Sequence, residues 1–469
     1  MPTIVEWGEI SLDGKMYVID PASGPFRGIH RQESAILDPP ITFGDTTYKS
    51  HPYLSSWVIS DLSGGFGIED ITGADTNRYR WGTADARSAG NITLGPLVVE
   101  TRPAAAVDAE TCFPLGDVPG THEEFYAGWS NGANCDIYAW NESSDAWRTA
   151  SLTDTNDCDT SKPVVFRGTG AESRLCYVES LLGINTIRTT AAGTISQAFY
   201  PAQLPDVLGS WDGRLWGIDG TGTVFFSMSS TISWSALTDP RTGANLALDR
   251  GRTPRKIVSW WNLAGEPTLY VLADDSLWAL NLAAVKFEHI YDVPPHPDGM
   301  LTAAVWPPTE DIWVSLGGST IRRTPSGVVV KLSGPGADGD GLPAAFRGTI
   351  KDLEPEYNGL YCLLKGSTAA PTTTSVLVVN TGIGWFPLWE APNTTYSPTW
   401  AMVSTAAFQG PTYRLWWGYG PYAYTMELRR EPYSPRQGFT AGVDKFAATS
   451  YLETGRFWAQ TWGQNKLAV

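Results

Sequence analysis

The hydrophobic positions of this chain fall into short apolar runs, which turn residues separate at regular intervals. From residue 137 onward, a Leu or Ile followed within two residues by an aromatic side chain opens such a run seven times, at spacings of 38 to 55 residues. The openings are Ile137–Tyr138, Leu175–Tyr177, Leu215–Trp216, Leu269–Tyr270, Ile312–Trp313, Leu360–Tyr361 and Leu415–Trp416. Further apolar runs precede and follow most of them, so each unit predicts about four short β-strands.

The clearest unit is a hairpin predicted between Asp212 and Ser230. Two apolar runs, residues 215–218 and 224–226, flank the turn Asp219-Gly220-Thr221-Gly222, where Asp can bond its own backbone and Gly tolerates positive φ. The first run has no polar face, which is typical of a sheet covered on both sides. We therefore predict that Trp216 and Phe225 lie in the core.

Four strands in each period of about 40–50 residues indicate a β-propeller. A single four-stranded sheet cannot bury both faces, whereas blades stacked around an axis bury each face against a neighbour. A two-sheet sandwich accounts for the strands and turns, but not for seven similar units. The prediction is an all-β chain with a seven-bladed β-propeller flanked by N- and C-terminal β-rich segments.

The regular spacing of the apolar runs is lost at both ends of the repeats. We predict an N-terminal β-rich arm or assembly module over residues 1–115, the propeller over 116–435, and C-terminal strands over 436–469. The C-terminal strands are expected either to complete a blade or to form a docking module. The flanks, especially residues 1–60 and 440–469, are expected to pair with other subunits by strand addition.

Charge and cysteine usage exclude several classes of function. A net charge of −16 argues against specific nucleic-acid binding and against anionic membranes, because both need a basic face. No run reaches the ~20 apolar residues of a membrane helix, so membrane insertion is not expected. The N-terminus lacks a secretion signal. Five Cys without a CxxC pair predict no disulfide framework and a reducing compartment, although one bridge among Cys112, Cys135 and Cys158 stays open.

Motifs for catalysis or for metal binding are missing from the sequence. The five His are scattered, and there is no HExxH, nucleophile elbow or P-loop, so we expect no enzyme activity, no metal and no cofactor. Asp338-Gly339-Asp340-Gly341 begins like a calcium loop, but Leu342 and Thr349 stand where an EF-hand loop places ligands. The acidic run from Asp154 to Asp159 has no defining spacing, and both stretches are predicted to be solvated loops.

Two sets of side chains are candidates for contact with a partner. The first is a basic cluster for a phosphate or an acidic partner, for which a solvated loop is the alternative: Arg250, Arg252, Arg255 and Lys256. The second consists of aromatic residues for stacking on a glycan or a protein partner: Trp389, Trp417, Tyr419 and Tyr422, with Trp260–Trp261 in addition. Trp216, Trp278 and Trp313 lie within apolar runs and are predicted to be core instead.

The flanking segments resemble structural proteins of tailed bacteriophages that carry a propeller. The resemblance rests on SSWVISDLSGGFGIED (residues 55–70), NRYRWGTADARSAGNITLGPL (77–97) and SYLETGRFW (450–458). It implies a virion component of the tail or tail tip, made in the host cytoplasm and arranged in copies about the tail axis beside neighbouring virion proteins. It implies no catalytic residues.

Three functions follow from these observations. The first is a non-enzymatic structural part of a phage tail, as a tube, nozzle, tip or adaptor segment, with the propeller as a platform. The second is a propeller of the tail tip that binds a host receptor or surface glycan. The third is a glycoside hydrolase, because acidic residues such as Asp206, Asp274 and Glu356 lie near predicted strand ends.

Overall fold

A computed structural model of the chain describes most residues from 62 onward and the backbone of five short strands before them. The described ranges are 9–12, 15–19, 29–31, 41–43, 46–48, 62–68, 70–71, 77–87, 92–148, 152–154, 161–168, 172–179, 183–191, 194–200, 205–228, 232–248, 252–262, 264–292, 300–330, 334–335, 341–405, 413–428, 446–454, 456–461 and 465–468.

The described residues of the N-terminal flank form eight strands. In chain order they are β1 Glu9–Leu12, β2 Lys15–Ile19, β3 Ile29–Arg31, β4 Ile41–Phe43, β5 Thr46–Tyr48, β6 Asp70–Ile71, β7 Trp81–Gly82 and β8 Val99–Thr101. Strands β1, β2 and β3 form one small antiparallel sheet, and β4 pairs with β5.

Seven sheets follow, six with four strands and the first with five, and they are the blades of a propeller. Blade 1 contains β9 Thr111–Val118, β10 Glu124–Ser130, β11 Cys135–Asn141 and β12 Ala146–Trp147, and β13 Leu152–Asp154 pairs with β11 as well. Blade 2 contains β14 Val164–Arg167, β15 Ser173–Glu179, β16 Gly183–Ala191 and β17 Thr194–Tyr200. Blade 3 contains β18 Val207–Trp211, β19 Arg214–Ile218, β20 Val224–Ser227 and β21 Ser235–Ala236.

Blades 4 to 6 repeat the same order. Blade 4 contains β22 Pro254–Trp261, β23 Pro267–Ala273, β24 Ser276–Asn281 and β25 Lys286–Asp292. Blade 5 contains β26 Ala303–Trp306, β27 Asp311–Leu316, β28 Ser319–Arg323 and β29 Val329–Val330. A 3-10 turn, Ala344–Phe346, leads into blade 6, with β30 Thr349–Glu356, β31 Gly359–Lys365, β32 Val376–Asn380 and β33 Trp385–Glu390. This element order confirms the predicted all-β, seven-bladed propeller.

Blade 7 is built from both ends of the propeller. Its first three strands are β34 Pro398–Ser404, β35 Arg414–Tyr419 and β36 Tyr422–Glu427, and its fourth is β8, which lies before blade 1 in the chain. The register pairs Ala423 with Thr101 and Thr425 with Val99. Three strands close the chain: β37 Leu452–Glu453, β38 Arg456–Thr461 and β39 Asn465–Ala468.

The strands are apolar on both faces because each blade is covered by its neighbours. Every residue of β10 is buried, and in β31 only Lys365 is exposed. The hairpin of blade 3 follows the same rule, since Trp216 is 0% and Phe225 8% exposed. In its turn, Asp219 Oδ1 accepts hydrogen bonds from the backbone N–H of Thr221 and of Thr223, both at 2.9 Å. The sequence predictions for this hairpin are confirmed.

Hydrogen bonds also join the first and last blades directly. The Cys112 N–H donates to the Gly420 carbonyl at 2.7 Å, and the Trp129 indole donates to the Pro421 carbonyl at 2.9 Å. The Thr399 hydroxyl donates to the Cys112 carbonyl at 3.0 Å. Together with the pairing of β8 and β36, these bonds satisfy backbone groups that an open ring would leave without partners.

The two flanks fold together rather than separately. β37 pairs with β7, and β38 runs parallel to β6. We call the described residues of 62–98 and 446–468 the flank module. The C-terminal strands thus pair with the N-terminal flank and not with a blade, while β8 and the start of β9 belong to the propeller although they precede residue 116.

The flank module sits on the outer strand of blade 6. The Phe66 N–H donates to the Trp385 carbonyl at 2.9 Å, and the Trp81 indole donates to Glu390 Oε1 at 2.6 Å. Gly65 has φ of +86°, and a Cβ atom there would lie 2.6 Å from the Trp385 carbonyl oxygen. Only glycine allows this close approach.

The four cysteines that the structure describes differ in oxidation state. Cys135 is disulfide-bonded, whereas Cys112, Cys176 and Cys362 are buried free thiols. The bridge that the sequence left open among Cys112, Cys135 and Cys158 therefore does not include Cys112. In the described part of the chain, no helix has the length and apolar character needed to cross a membrane.

Replacing Tyr424 by Phe should weaken the closure of the ring. The buried Tyr424 hydroxyl donates to the Glu100 carboxylate on β8. Its loss should lower the free energy of unfolding by about 1–2 kcal/mol, measured by chemical denaturation. Tyr422→Phe in the same strand is the matched control and should change it by less than about 0.5 kcal/mol. Equal effects of the two variants would contradict this role for Tyr424.

Candidate functional site in the central channel

At every junction except that between blades 1 and 2, the first strand of one blade lies next to the first strand of the next, so these strands line the axis of the ring. Polar side chains from opposite sides meet there. Lys162, two residues before β14 in blade 2, contacts both Asp352 and Glu354 on β30 of blade 6. Its Nζ lies 2.7 Å from Asp352 Oδ2 and 2.6 Å from Glu354 Oε2. We call Lys162, Lys256, Asp352 and Glu354 the channel cluster.

The two carboxylates are bonded at every oxygen. Asp352 Oδ1 accepts from the Thr302 hydroxyl at 3.2 Å, and Oδ2 accepts from the Ala401 N–H at 3.0 Å in addition to Lys162. Glu354 Oε1 accepts from the Val403 N–H at 2.9 Å. The cluster therefore connects blades 2, 5, 6 and 7 through charge-assisted hydrogen bonds.

Lys162 offsets the charge of these carboxylates. Burial lowers the pKa of Lys162, but the attraction of Asp352 and Glu354 outweighs it, so its pKa is raised above the ordinary value. A buried charge without such a partner would cost several kcal/mol. Lys162 is thus held charged, and it bridges blades that lie across the axis from each other.

Lys256, on β22 of blade 4, is the other cation at the axis. Its ammonium group makes no hydrogen bond or ion pair with any residue that the structure describes. Burial, and then repulsion by Lys162, lowers the pKa of Lys256 to about 8, against the weaker opposing effect of Asp352 and Glu354. The residue as a whole is half-buried.

The predicted aromatic contact set is wrong for three of its four members. Trp389 is 6% exposed, and Trp417 and Tyr419 are 0% exposed. Their rings pack together between blades 6 and 7, with Trp389 5.5 Å from Trp417 and 5.4 Å from Tyr419 between centroids. Strand position explains the burial, because a blade is covered on both faces. Tyr422 is half-buried, at 5.3 Å from the Arg102 guanidinium.

For the other tryptophans, the burial agrees better with the predictions from the sequence. Trp278 and Trp313 are buried at 7% and 2% exposure, which confirms them as core. Trp260 is half-buried, while Trp261 is 51% exposed. Trp261 is thus the member of the wider aromatic set that can contact a partner.

The predicted basic cluster does not form one surface. Arg250 lies outside the described residues. Arg252 is bonded to Asp275 and to Ser276 and lies over the Trp278 ring, so it is already partnered within blade 4. Arg255 is exposed, while Lys256 points to the axis. The strand has a β-bulge between Pro254 and Lys256, which interrupts the regular alternation of side chains at Arg255 and Lys256.

Metal-type chemistry finds no support among the described residues. They contain no group of three His, Cys, Asp or Glu side chains that could hold a metal ion. Residues 336–340 of the calcium-like stretch lie outside the described part, as do residues 155–160 of the acidic run. His289 pairs with Asp292 at 2.9 Å on the surface of blade 4.

Exposed apolar side chains collect at one end of the propeller. The turns that join first to second strands and third to fourth strands lie at the same end of every blade, which we call the first-turn face. On blades 3 to 6 this face exposes five large apolar side chains at 47–73%: Met228, Trp261, Val328, Tyr357 and Ile383. Each of these side chains is available for contact with a partner at this end of the ring.

Sequence reasoning missed Lys162, Asp352 and Glu354. A signal was present, since Asp352 stands between the buried Ile350 and Leu353 in the first strand of a blade. A charged residue in such a strand must face the axis and find a partner there. Its partner is about 190 residues away in sequence, so the pair itself could not be read from the chain.

Comparisons with known proteins show similarity in fold. No protein-family model and no curated protein matches this chain. Among solved structures, the extracellular domain of a proposed hybrid two-component system from B. thetaiotaomicron has 13% identity and a TM-score of 0.49, over 72% of this chain and 40% of that one. The chain therefore spans 40% of the length of that protein.

Two further structures are similar at the same level. YCF48 from Cyanidioschyzon merolae has 11% identity and a TM-score of 0.42, over 70% of this chain and 98% of that one. A chain of the mitotic checkpoint complex has 10% identity and a TM-score of 0.44, over 72% and 93%. At such identities the similarity concerns the propeller fold alone.

Replacing Lys256 by Met should stabilise the protein at pH 7 and lose this advantage at high pH. Lys256 is charged in both states below its folded pKa of about 8, so the penalty for burying its charge is fully present there. Between pH 8 and the ordinary value of 10.5, the folded state releases the proton while the unfolded state keeps it, so wild-type stability rises.

We expect Lys256→Met to be about 1–3 kcal/mol more stable at pH 7, with the difference shrinking by pH 10. Chemical denaturation in buffers free of phosphate and sulfate measures it. Arg255→Gln, at the neighbouring exposed position, should show no such pH dependence. A stability difference that stays constant from pH 7 to pH 10 would refute the charge argument.

Proposed function

We propose that this chain is a non-enzymatic structural component of a tailed-bacteriophage virion, most simply of its tail, and that the propeller is a platform mounted through the flank module. The observation that carries the proposal is the flank module itself. The described residues of the three stretches that resemble phage structural proteins, which are residues 55–70, 77–97 and 450–458, all belong to it.

Main-chain contacts hold these stretches together. The Arg80 N–H donates to the Glu453 carbonyl at 2.9 Å, and the Ala84 N–H donates to the Tyr451 carbonyl at 3.0 Å. The Gly95 N–H donates to the Ser450 hydroxyl at 2.9 Å. Segments far apart in sequence are thus joined at one place on the outside of the ring, which favours a dedicated attachment role over a simple linker.

Strand addition is the mode of assembly that this module favours. Its three-stranded sheet has the order β39-β38-β6, so β39 and β6 are the edge strands. Edge strands present unpaired backbone donors and acceptors to another chain. We propose that copies of this chain, or neighbouring virion proteins, pair with these edges around the tail axis.

The channel cluster supports a role without catalysis. Asp352 and Glu354 are fixed at every oxygen by Lys162, by the Thr302 hydroxyl or by backbone N–H groups, so neither is placed as a general acid beside a free carboxylate. Their arrangement joins blades across the axis and favours a structural function for this charged pair.

Gly65→Ala should loosen the flank module from blade 6 and reduce incorporation into particles. The added Cβ would clash with the Trp385 carbonyl oxygen, and the φ of +86° at residue 65 is unfavourable for alanine as well. Gly132→Ala is the matched control, because it has the same φ of +86° with nothing within 4 Å. Each variant is supplied to phage that lack the wild-type gene, and its amount in gradient-purified virions is measured by quantitative mass spectrometry.

We expect Gly132→Ala at the wild-type level and Gly65→Ala several-fold lower, with circular dichroism showing an intact propeller in both. Antibodies to the chain should label the tail in electron micrographs. Absence of the wild-type chain from purified virions would overturn the proposal. Equal incorporation of the two variants would show that attachment to the particle does not depend on the flank module.

A second candidate function is binding of a host receptor or surface glycan through the first-turn face. Trp261 and Tyr357, at 51% and 73% exposure, lie at the ends of first strands near the axis and can stack on a sugar ring or fill a protein pocket.

The full chain is applied to a glycan array and to host cells. A double variant, Trp261→Ala with Tyr357→Ala, should lose binding at least tenfold. Phe199→Ala, which removes an exposed aromatic from the outer strand of blade 2, should not. If wild-type and double variant bind equally, or if neither binds, the face is not a receptor site.

A further inference from the structure

We propose that β17, the outer strand of blade 2, pairs antiparallel with β17 of a second copy of this chain, so that two propellers join edge to edge about a two-fold axis. This inference is independent of the proposed virion role. It rests on a difference among the outer edges of the seven blades, because an outer strand presents one row of backbone donors and acceptors away from its own blade.

Six of the seven blades have a protected outer edge. The outer strands β12, β21 and β29 are two residues long, and β8 and β13 have three. On blade 6 the flank module covers β33, where the Phe66 N–H donates to the Trp385 carbonyl. On blade 4 the strand β25 has seven residues but carries Lys286, Glu288 and Asp292. Short, covered or charged edges do not pair readily with another chain.

The edge of blade 2 has none of these protections. β17 is seven residues long, TISQAFY, and its one partner among the described strands is β16. It has no charged residue and no proline, and Phe199 is 41% exposed. The uncharged stretch extends beyond the strand, since residues 189–205 contain no charged side chain in a chain that is 17% charged. A long, uncharged edge with an exposed aromatic side chain is a template for strand addition.

The charge of the chain favours a second copy as the partner of this edge. A net charge of −16 makes two copies repel each other, so contact between them is least opposed where the surface is uncharged. On the adjacent strand, Arg188 lies opposite Ser196 and is neutralised by Glu172 at 2.6 Å. The edge therefore has no charge that would attract an acidic or basic partner, and two identical edges meet there without repulsion.

The sequence of β17 is also complementary to itself in the antiparallel direction. With a two-fold axis through position 197, all seven residues of the strand lie opposite a residue of the other copy. Ile195 lies opposite Phe199 of the partner subunit, and symmetry makes this contact twice. Aromatic and β-branched residues directly opposite each other stabilise antiparallel pairs. On the other face of the strand, Ser196 lies opposite Ala198 of the partner subunit, so the contact is isologous.

Charge substitutions at position 197 test the proposal, because this exposed position would lie opposite itself across the axis. Gln197→Lys and Gln197→Glu each place two like charges opposite each other, so each variant alone should be monomeric. An equimolar mixture of the two should form a heterodimer, because the introduced charges are then opposite in sign. His289→Lys, which adds a charge to the exposed outer strand of blade 4, is the matched control and should dimerise as the wild type does.

Sedimentation equilibrium of the full chain between about 1 and 200 µM measures the mass and the dissociation constant. We expect the wild type to approach twice the chain mass of 51.0 kDa as its concentration rises. Each charged variant alone should bind itself about tenfold or more weakly than the wild type, and the mixture should recover most of this loss. Circular dichroism checks that all variants are folded.

Three results would overturn the proposal. A wild-type chain that stays monomeric up to about 200 µM has no such contact. Folded charged variants that dimerise as well as the wild type would place the contact elsewhere, for example at the edges of the flank module. A mixture of folded variants that stays monomeric would exclude a two-fold contact centred on position 197.

A cysteine variant keeps the test decisive if a charged variant does not fold. Opposite residues of an antiparallel pair have Cα atoms about 4.5–5.5 Å apart, which is within the range of a disulfide. Mild oxidation of Gln197→Cys should therefore give a covalent dimer on a non-reducing gel, and His289→Cys should not. Absence of the covalent dimer from Gln197→Cys would overturn the proposal as well.

Discussion

A ring of blades is stable only if its first and last blades are joined, and in this protein β8 makes that joint. Each blade buries one face against the blade before it and the other against the blade after it, so an open ring would expose two apolar faces at once. β8 contributes the outer strand of blade 7 from the chain segment that precedes blade 1. The contact between blades 1 and 7 is reinforced by the hydrogen bonds of Cys112, Trp129 and Thr399. These bonds pair backbone groups that would have no partner in an open ring.

The axis of the ring is held by a different kind of interaction. Where first strands converge, apolar side chains cannot fill the space evenly, and the channel cluster places charges there instead. Such a cluster gains little net free energy over an apolar filling, since the desolvation of the ions offsets much of their attraction. Its contribution is geometric, because Lys162 reaches β30 from the other side of the ring and fixes the distance between them. The ammonium group of Lys256 takes no part in this bonding.

Local sequence pattern was enough to predict the blades but not what joins them. Residues such as Trp216 and Phe225 lie in short apolar runs beside turn residues, and period and turn chemistry are local properties. The role of Val99–Thr101 could not be read in this way, because a three-residue strand owes its existence to Ala423–Thr425, more than 300 residues later. Trp417 and Tyr419 were misjudged for a related reason. Both were predicted to contact a partner, but both are buried, because burial depends on the neighbouring blade and not on the strand alone.

The origin of blade 7 also sets an order of events during synthesis. β8 leaves the ribosome before any blade exists, and its partner strand β36 follows only after six blades have been made. Until then the ring is an open arc, with one unpaired edge at β8 and an uncovered apolar face on blade 1. Long-range closure of this kind is intrinsically slow and exposes edges to other chains. Any factor that shields residues 99–101 during translation would therefore raise the yield of folded protein without changing the stability of the finished ring.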